Sequence, residues 1–518
     1  MKPIKTVLAT AVLAGTAGLA TAIPYASGIS VGSTTIAHNT GTTITYTLNH
    51  AAATATVQIL DSGNNVVATF PGTTTAGVNT VSWDGTANNS GGTPVAGGSG
   101  YRVRVAVTGT EAAGWNRYKA NTGTGNTTPL AGTATDLVAD WFPKGIAVNT
   151  DPDSDFFGTT LVGFGYVTDT TIFVNASAVV EFRSDLSVKA GDNGYASRVL
   201  RHPNDDETLP HPRSYTTWGL CWDPTDSNRV WVTGQATSGS GANGVNTGQP
   251  NNFTALGVAG VLPQFRTNAD PSNLIGTVPR TVRIHQYGST KYAFYCRGNG
   301  IVEVATVNAS NQLATLVGNI LAAEFGTASR YSKQVLFDSA GNMYWVNNRV
   351  ASETAAADGK LYRWDSATVQ AAIANPSTAP LTTANAAWIV TNNLTVRQRI
   401  VTAAIAPNGD VYVLSGADGQ GLYKVGNTST ATLTLNLSTL TPEITKTEIR
   451  PGTSAINDAA TDMQFDAVGN LIITEGGAEH VMGWSPGGAS STAFTAPPSQ
   501  SFTIQAPSSV GNWMLQQY

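Results

Sequence analysis

"VLFDSAGNMYWV", residues 335–346, sets an acidic residue, small residues and a glycine between two apolar runs. Two readings compete for it. Either Asp338 and Asn342 are oxygen ligands of a calcium loop, or they are turn residues joining two strands. A calcium loop alternates several oxygen ligands and closes on a glutamate, and this stretch offers one carboxylate. Two later stretches decide between the readings. "IAPNGDVYVL" from residue 405 and "FDAVGNLIIT" from residue 465 align with "FDSAGNMYWV" from residue 337, so Gly341, Gly409 and Gly469 fall in register. The middle copy begins its turn Pro407-Asn408-Gly409, without the carboxylate. A motif that drops its acid between copies keeps a turn shape, not a ligand set. Asp and Asn accept local backbone hydrogen bonds in such turns, and glycine supplies positive φ.

Each glycine is followed by an apolar strand, a gap and a further strand: "GKLYRWD" (359–365), "QGLYKVG" (420–426) and "HVMGWSP" (480–486). Degenerate copies precede them in "GIAVNTDPDSDFFGTTLVGFGY" (145–166) with "AVVEFRSD", in "WGLCWDPTDSNRVWVTG" (218–234) and in "VRIHQYGSTKYAFYCRGNGIVEVATVN" (282–308). Units starting near 145, 219, 282, 335, 404 and 463 recur at the period of four-stranded blades with variable loops. The pattern predicts a β-propeller over 141–506 with six blades. A seventh fits only if the Gly/Ser/Asn-rich stretch 236–275 is a blade and not an insertion loop. The units resemble NHL-type and related "D-x-x-G-N-x-Y-V" propellers.

Ahead of the repeats, alternating apolar positions in "TITYTL", "ATVQIL" and "YRVRVAV" mark short strands separated by Gly/Asn turns. They predict a β-sandwich over 23–108. The run "VQILDSGNNVVATF", then Ala76-Gly77-x-Asn79-x-Val81-x-Trp83-Asp84-Gly85, then Gly100-Tyr101, resembles the Ig-like domain of the flagellar hook-capping protein family (FlgD-like). That resemblance implies a spacer or docking module. Residues 109–140 are rich in Gly, Thr and Asn and read as a linker that lends a strand to the repeats beyond it; 507–518 read as a C-terminal tail. The fold class expected is all-β, an N-terminal Ig-like β-sandwich plus a C-terminal β-propeller.

The first 22 residues combine basic Lys2 and Lys5, an apolar run from Val7 to Leu19 and Ala20-Thr21-Ala22. This is the pattern of a secretory signal peptide, with a small-residue cleavage site. No later stretch holds the roughly 18 apolar residues that span a membrane. The chain is therefore expected to be secreted, extracellular or at the cell surface, with the periplasm as a further compartment. Charged residues make up 12% of the chain, and without Lys2 and Lys5 the formal charge falls from −5 to −7. With no basic stripe, nucleic acid is not an expected partner. Cys221 and Cys296 lie in strand-like runs, and in an oxidising compartment a disulfide between them is permitted but not specified.

Three groups of residues carry candidate chemistry. The loop "HPNDDETLPHP" (202–212) gathers His202, Asp205, Asp206, Glu207 and His211, which leaves room for a divalent cation such as Ca²⁺, although zinc-type spacing and an alternating ligand pattern are absent. Arginines recur just before the first strand of successive units: Arg213, Arg280, Arg330, Arg397 and Arg399. At a propeller's channel mouth they would suit a carboxylate or sulfate. Trp231, Trp345, Trp364 and Trp388 are either core residues or a sugar-stacking surface. The enzymatic alternative is a lactonase- or gluconolactonase-like hydrolase. Those families are similar in their repeats and hold a divalent cation in the central channel through a Glu, an Asn and an Asp. This sequence lacks their early Glu-Gly-Pro-type strand and their Ser-Pro-Asp element, and Glu181, Glu303 and Glu475 are tied together by no motif. No nucleophile elbow, P-loop or dinucleotide fingerprint is present. The sequence thus points to a binding or structural protein for a cell-envelope or extracellular polysaccharide or protein, without a required cofactor.

Overall fold

A computed structural model describes residues 23–111, 113–120, 143–164, 178–187, 189, 199–200, 215–236, 244–248, 279–297, 301–311, 313–325, 332–348, 359–391, 399–416, 421–449, 461–475 and 480–507. The chain builds a β-sandwich and a ring of antiparallel sheets. In the sandwich, β1 (Ala26–Val31), β3 (Thr42–Leu48) and β6 (Gly77–Trp83) form one sheet. The other contains β2 (Thr35–Ile36), β4 (Thr54–Leu60), β5 (Val66–Pro71) and the long β7 (Gly98–Glu111). Period-two alternation does the sorting. In β4, Ala55, Val57 and Ile59 are buried while the residues between them face outward. Trp83 is a core residue whose indole N–H donates to the Thr86 carbonyl at 2.8 Å. The adjoining turn is held by the Asp84 carboxylate, which accepts from the backbone N–H groups of Thr86 and Gly91.

The repeats form six sheets among the described residues, with inner strands Pro143–Val148, Tyr215–Asp223, Pro279–Tyr287, Ser332–Phe337, Arg399–Ile405 and Thr461–Phe465. Among the described residues each inner strand neighbours the next, and the last neighbours the first, so these six sheets close into a ring. Blades pack face to face, which explains why the second strands are apolar at nearly every position. Met343 and Trp345 enter the cluster shared with blade 3, while Tyr344 and Val346 enter the one shared with blade 5. Burial on both faces replaces alternation by a continuous apolar run.

Both closures use strands distant in sequence. The fourth strand of blade 6 is β8 (Asn116–Ala120), drawn from the segment expected to be a linker. Residues 488–504, expected to lie in the propeller, return instead to the sandwich. Gly488–Thr495 pairs antiparallel with the second half of β7, and Phe502–Ile504 lies between β2 and β7. The reason is apolar. Ala496, Phe502 and Ile504 are buried in the sandwich core, and Phe494 packs against it.

Candidate functional site

The opening motif is a strand–turn–strand. The Asp338 carboxylate accepts from the N–H of Ala340 and of Asn342 on one oxygen, and from the Asn342 amide and the Tyr344 hydroxyl on the other. Gly341 has φ 79°. Asp466 and Asn470 repeat the arrangement in blade 6, with Asn470 donating to Asp466 at 2.8 Å. In both turns the outer side of the Asn side chain is put to use. Asn342 Oδ1 accepts from the N–H of Ser366, the first residue of helix α1 (Ser366–Ala374). Asn470 instead grips the start of the sandwich: its Oδ1 accepts from Ile23 N–H and its Nδ2 donates to Ile23 C=O, both at 3.0 Å.

The sandwich therefore docks on one face of the ring, at the turns joining first to second strands in blades 6 and 1 and at the turn after the third strand of blade 1. Ser27 donates to Ser184 at 2.7 Å. The Tyr25, Phe157 and Phe494 rings pack together, with Phe157 and Phe494 4.6 Å apart. Gly158 (φ 77°) approaches so closely that a Cβ there would meet the Ser27 Cβ at 2.6 Å. In an antiparallel blade the second strands end, and the inner strands begin, at the opposite face.

At the channel end nearest that opposite face, Gln334, Thr402 and Asp462 occupy equivalent positions on the inner strands of blades 4, 5 and 6, and all three are buried. Gln334 donates to Asp462 at 3.1 Å, and Thr402 lies 2.9 Å from Gln334 Oε1 and 3.0 Å from Asp462 Oδ1. Asp462 Oδ2 also accepts from Ile146 N–H at 3.3 Å, joining blade 6 to blade 1. Gln464 reinforces that seam through Val148 N–H and Ile146 C=O. Sequence reasoning did not find these residues. Their signal is positional, since each lies three residues before the Phe337, Ile405 or Phe465 that opens the turn motif.

The sequence-predicted residues scatter over the molecule. His202, Asp205, Asp206, Glu207, His211, Arg213, Arg330 and Arg397 lie outside the described residues. Arg280 and Arg399 stand at the start of the inner strands of blades 3 and 5, at the end away from the sandwich. Among the described residues, no three His, Cys, Asp or Glu side chains converge as metal ligands. Glu181 and Glu303 are on third strands and Glu475 on a second strand, not on the inner strands that line the channel. Glu181 is buried and pairs with Lys189 at 2.6 Å. Trp231, Trp345, Trp364 and Trp388 are all buried, which removes them as a stacking surface. Cys221 and Cys296 are buried in different clusters and are not joined to each other, so the permitted disulfide is not formed. Burial pushes the Cys221 thiol up to about 12, which leaves it protonated and unreactive at neutral pH.

Comparison with known proteins bears on the sandwich first. Residues 33–111 match the family model of the FlgD Ig-like domain. No curated protein sequence matches the chain. Solved structures similar to it include a protein of unknown function from Bacteroides caccae, 12% identical, covering 62% of this chain and 81% of its own, at a TM-score of 0.29. The β-propeller domain of Myceliophthora thermophila Cps50 (Swd1) is 9% identical, covering 66% of this chain and 96% of its own, at a TM-score of 0.32. A levansucrase mutant from B. megaterium is 10% identical, covering 61% of this chain and 91% of its own, at a TM-score of 0.33. No helix among the described residues is long and apolar enough to cross a membrane.

Proposed function

We propose that this chain is an exported recognition protein that binds an anionic or carbohydrate polymer of the cell envelope or extracellular space. One observation carries the reading. The sandwich occupies the face of the ring that bears the shared turns, through Ile23, Ser27 and Tyr25. Among the described residues the sandwich does not reach the opposite face, where the inner strands begin. Arg280 and Arg399 stand at the start of inner strands on that side, and in the sequence Arg213, Arg330 and Arg397 come just before other inner-strand residues. A rigid ring that presents variable loops on its free face is a recognition platform. The arginines supply forked donors for carboxylate or sulfate on a chain that is otherwise acidic.

Binding to an array of acidic and neutral glycans tests the reading, with the wild type beside an Arg280→Ala/Arg330→Ala double variant. Salt-sensitive binding to acidic glycans that the double variant loses supports it. Unchanged binding by the double variant removes the arginines, and Ca²⁺-dependent hydrolysis of lactones without glycan binding replaces the reading with the hydrolase.

A further inference from the structure

The first residues of a folded domain usually fray unless something ties them down. Residues 23–25 are tied from three sides. From the propeller, Asn470 Oδ1 and Ser485 Oγ both accept from Ile23 N–H at 3.0 Å, and Asn470 Nδ2 donates back to Ile23 C=O. From the sandwich, the Asn49 side chain donates to Ile23 C=O at 3.0 Å and accepts from Tyr25 N–H at 2.8 Å. From the returning strand, Thr492 donates to Pro24 C=O at 2.8 Å. Asn470 and Ser485 are fully buried, and Ile23 is half-buried. This cradle offers more than a peptide N–H can use. Two acceptors meet a nitrogen that, as an amide, has one hydrogen to divide between them. A carboxylate also stands one side chain away, because Asn470 Nδ2 donates to Asp466 Oδ2 at 2.8 Å. Asp466 is 2% exposed, and burial raises it only to about 6, so it is charged at neutral pH. In the sequence Ile23 directly follows Ala20-Thr21-Ala22, the small residues that end the signal-like segment; residues 1–22 lie outside the described residues.

We propose that Ile23 is the mature amino terminus and that its α-ammonium is captured between Asn470 and Ser485, so that processing completes the sandwich–propeller junction. Capture at this residue rests on the export reading, which supplies the cleavage. A signal peptidase adds water across the Ala22–Ile23 peptide bond, leaving a carboxylate on Ala22 and an ammonium on Ile23. The ammonium has a separate hydrogen for Asn470 Oδ1 and for Ser485 Oγ. Its charge is opposed by Asp466 on the far side of the Asn470 amide. Hydrogen bonds from a charged donor are roughly twice as strong as neutral ones. Before cleavage the same nitrogen is an uncharged amide, and the junction is correspondingly weaker.

Two chains made by cleaving a removable leader, one beginning at Ile23 and one at Thr21, separate capture from export. In the longer chain Ile23 N–H is an ordinary amide. Amide hydrogen exchange, corrected for intrinsic rates, is expected to show opening at Tyr25 and the 466–470 turn about fivefold rarer in the chain beginning at Ile23. The 338–342 turn should be equal in both. Ser485→Ala is expected to shrink the difference to within about twofold. Equal opening in the two wild-type chains overturns capture whether or not the protein is exported, and so does an undiminished difference in Ser485→Ala. Terminal sequencing of the exported protein is expected to read Ile23-Pro24-Tyr25. Any other terminus overturns the processing step. A chain that never leaves the cell removes the export reading and that step with it, while the leader-cleaved pair still decides capture.

Discussion

The sandwich and the propeller are each closed by a strand from elsewhere in the chain, but the two strands do different work. The sandwich receives residues 488–504, which carry Phe494, Ala496, Phe502 and Ile504 into or against its core. The propeller receives β8, which pairs along one edge of blade 6 and brings in Tyr118 against the bare backbone of Gly483. One closure fills a core; the other completes a hydrogen-bonded edge. The sandwich should therefore depend on its returning strand through packing, and the ring on β8 through close fit.

Phe502→Ala is the strongest way to break that contrast. Phe502 is 2% exposed and contacts the rings of Trp83 and Tyr101. Truncation of a buried Phe costs roughly 3–5 kcal/mol from lost transfer energy and the cavity left behind. The loss should appear in denaturant unfolding and, by hydrogen exchange, spread through β3, β4 and β7. A change below about 1 kcal/mol would mean that the returning strand only covers the sandwich.

Gly483→Ala tests the other closure. A Cβ at 483 would lie 2.5 Å from Tyr118 Cζ, so β8 must shift. Overpacking of this kind costs about 1–3 kcal/mol. Exchange should rise in 116–120 and in blade 6, leaving β3 and β4 unaffected. If the whole sandwich loosens as well, the two closures are one cooperative unit and the contrast fails.

The same contrast explains what was legible in the sequence. The repeats at 337, 405 and 465 announced the propeller because each blade is local in the chain, and its turn chemistry recurs. The Trp83-Asp84-Gly85 run announced the sandwich for the same reason. The return of 488–504 was hidden. "GASSTAFT" alternates weakly, and nothing local shows which distant edge Phe494 will meet. The channel group was hidden too. Gln334, Thr402 and Asp462 are equivalent in position and different in type, so a search by residue type passed over them while alignment of the turns places them together. The arginines were prominent in the sequence because their type repeats. The four tryptophans read as either core or a stacking surface are interior: Trp231, Trp345 and Trp364 lie on second and third strands covered on both faces, and Trp388, on a fourth strand, is buried in the cluster shared by blades 4 and 5.

The two copies of the opening turn give the finest test, because their sequences nearly coincide while their tasks differ. Asn342→Ala removes the partner of Ser366 N–H and one donor to Asp338, whose outer oxygen keeps the Tyr344 hydroxyl at 3.1 Å. Asn470→Ala removes one donor to Asp466 and both bonds to Ile23. Ile23 retains Ser485 Oγ at its N–H and the Asn49 amide at its C=O, each at 3.0 Å. Each change should therefore cost only about 1–2 kcal/mol, near the value of a buried polar group that loses part of its bonding. The location of the effect should separate them. Exchange should rise at the first turn of α1 in Asn342→Ala, and at Ile23 and Tyr25 in Asn470→Ala. If Asn470→Ala disturbs only its own turn, the sandwich is held by its other contacts, Ser27 with Ser184 and Tyr25 with Phe157, and the shared motif contributes shape and no docking.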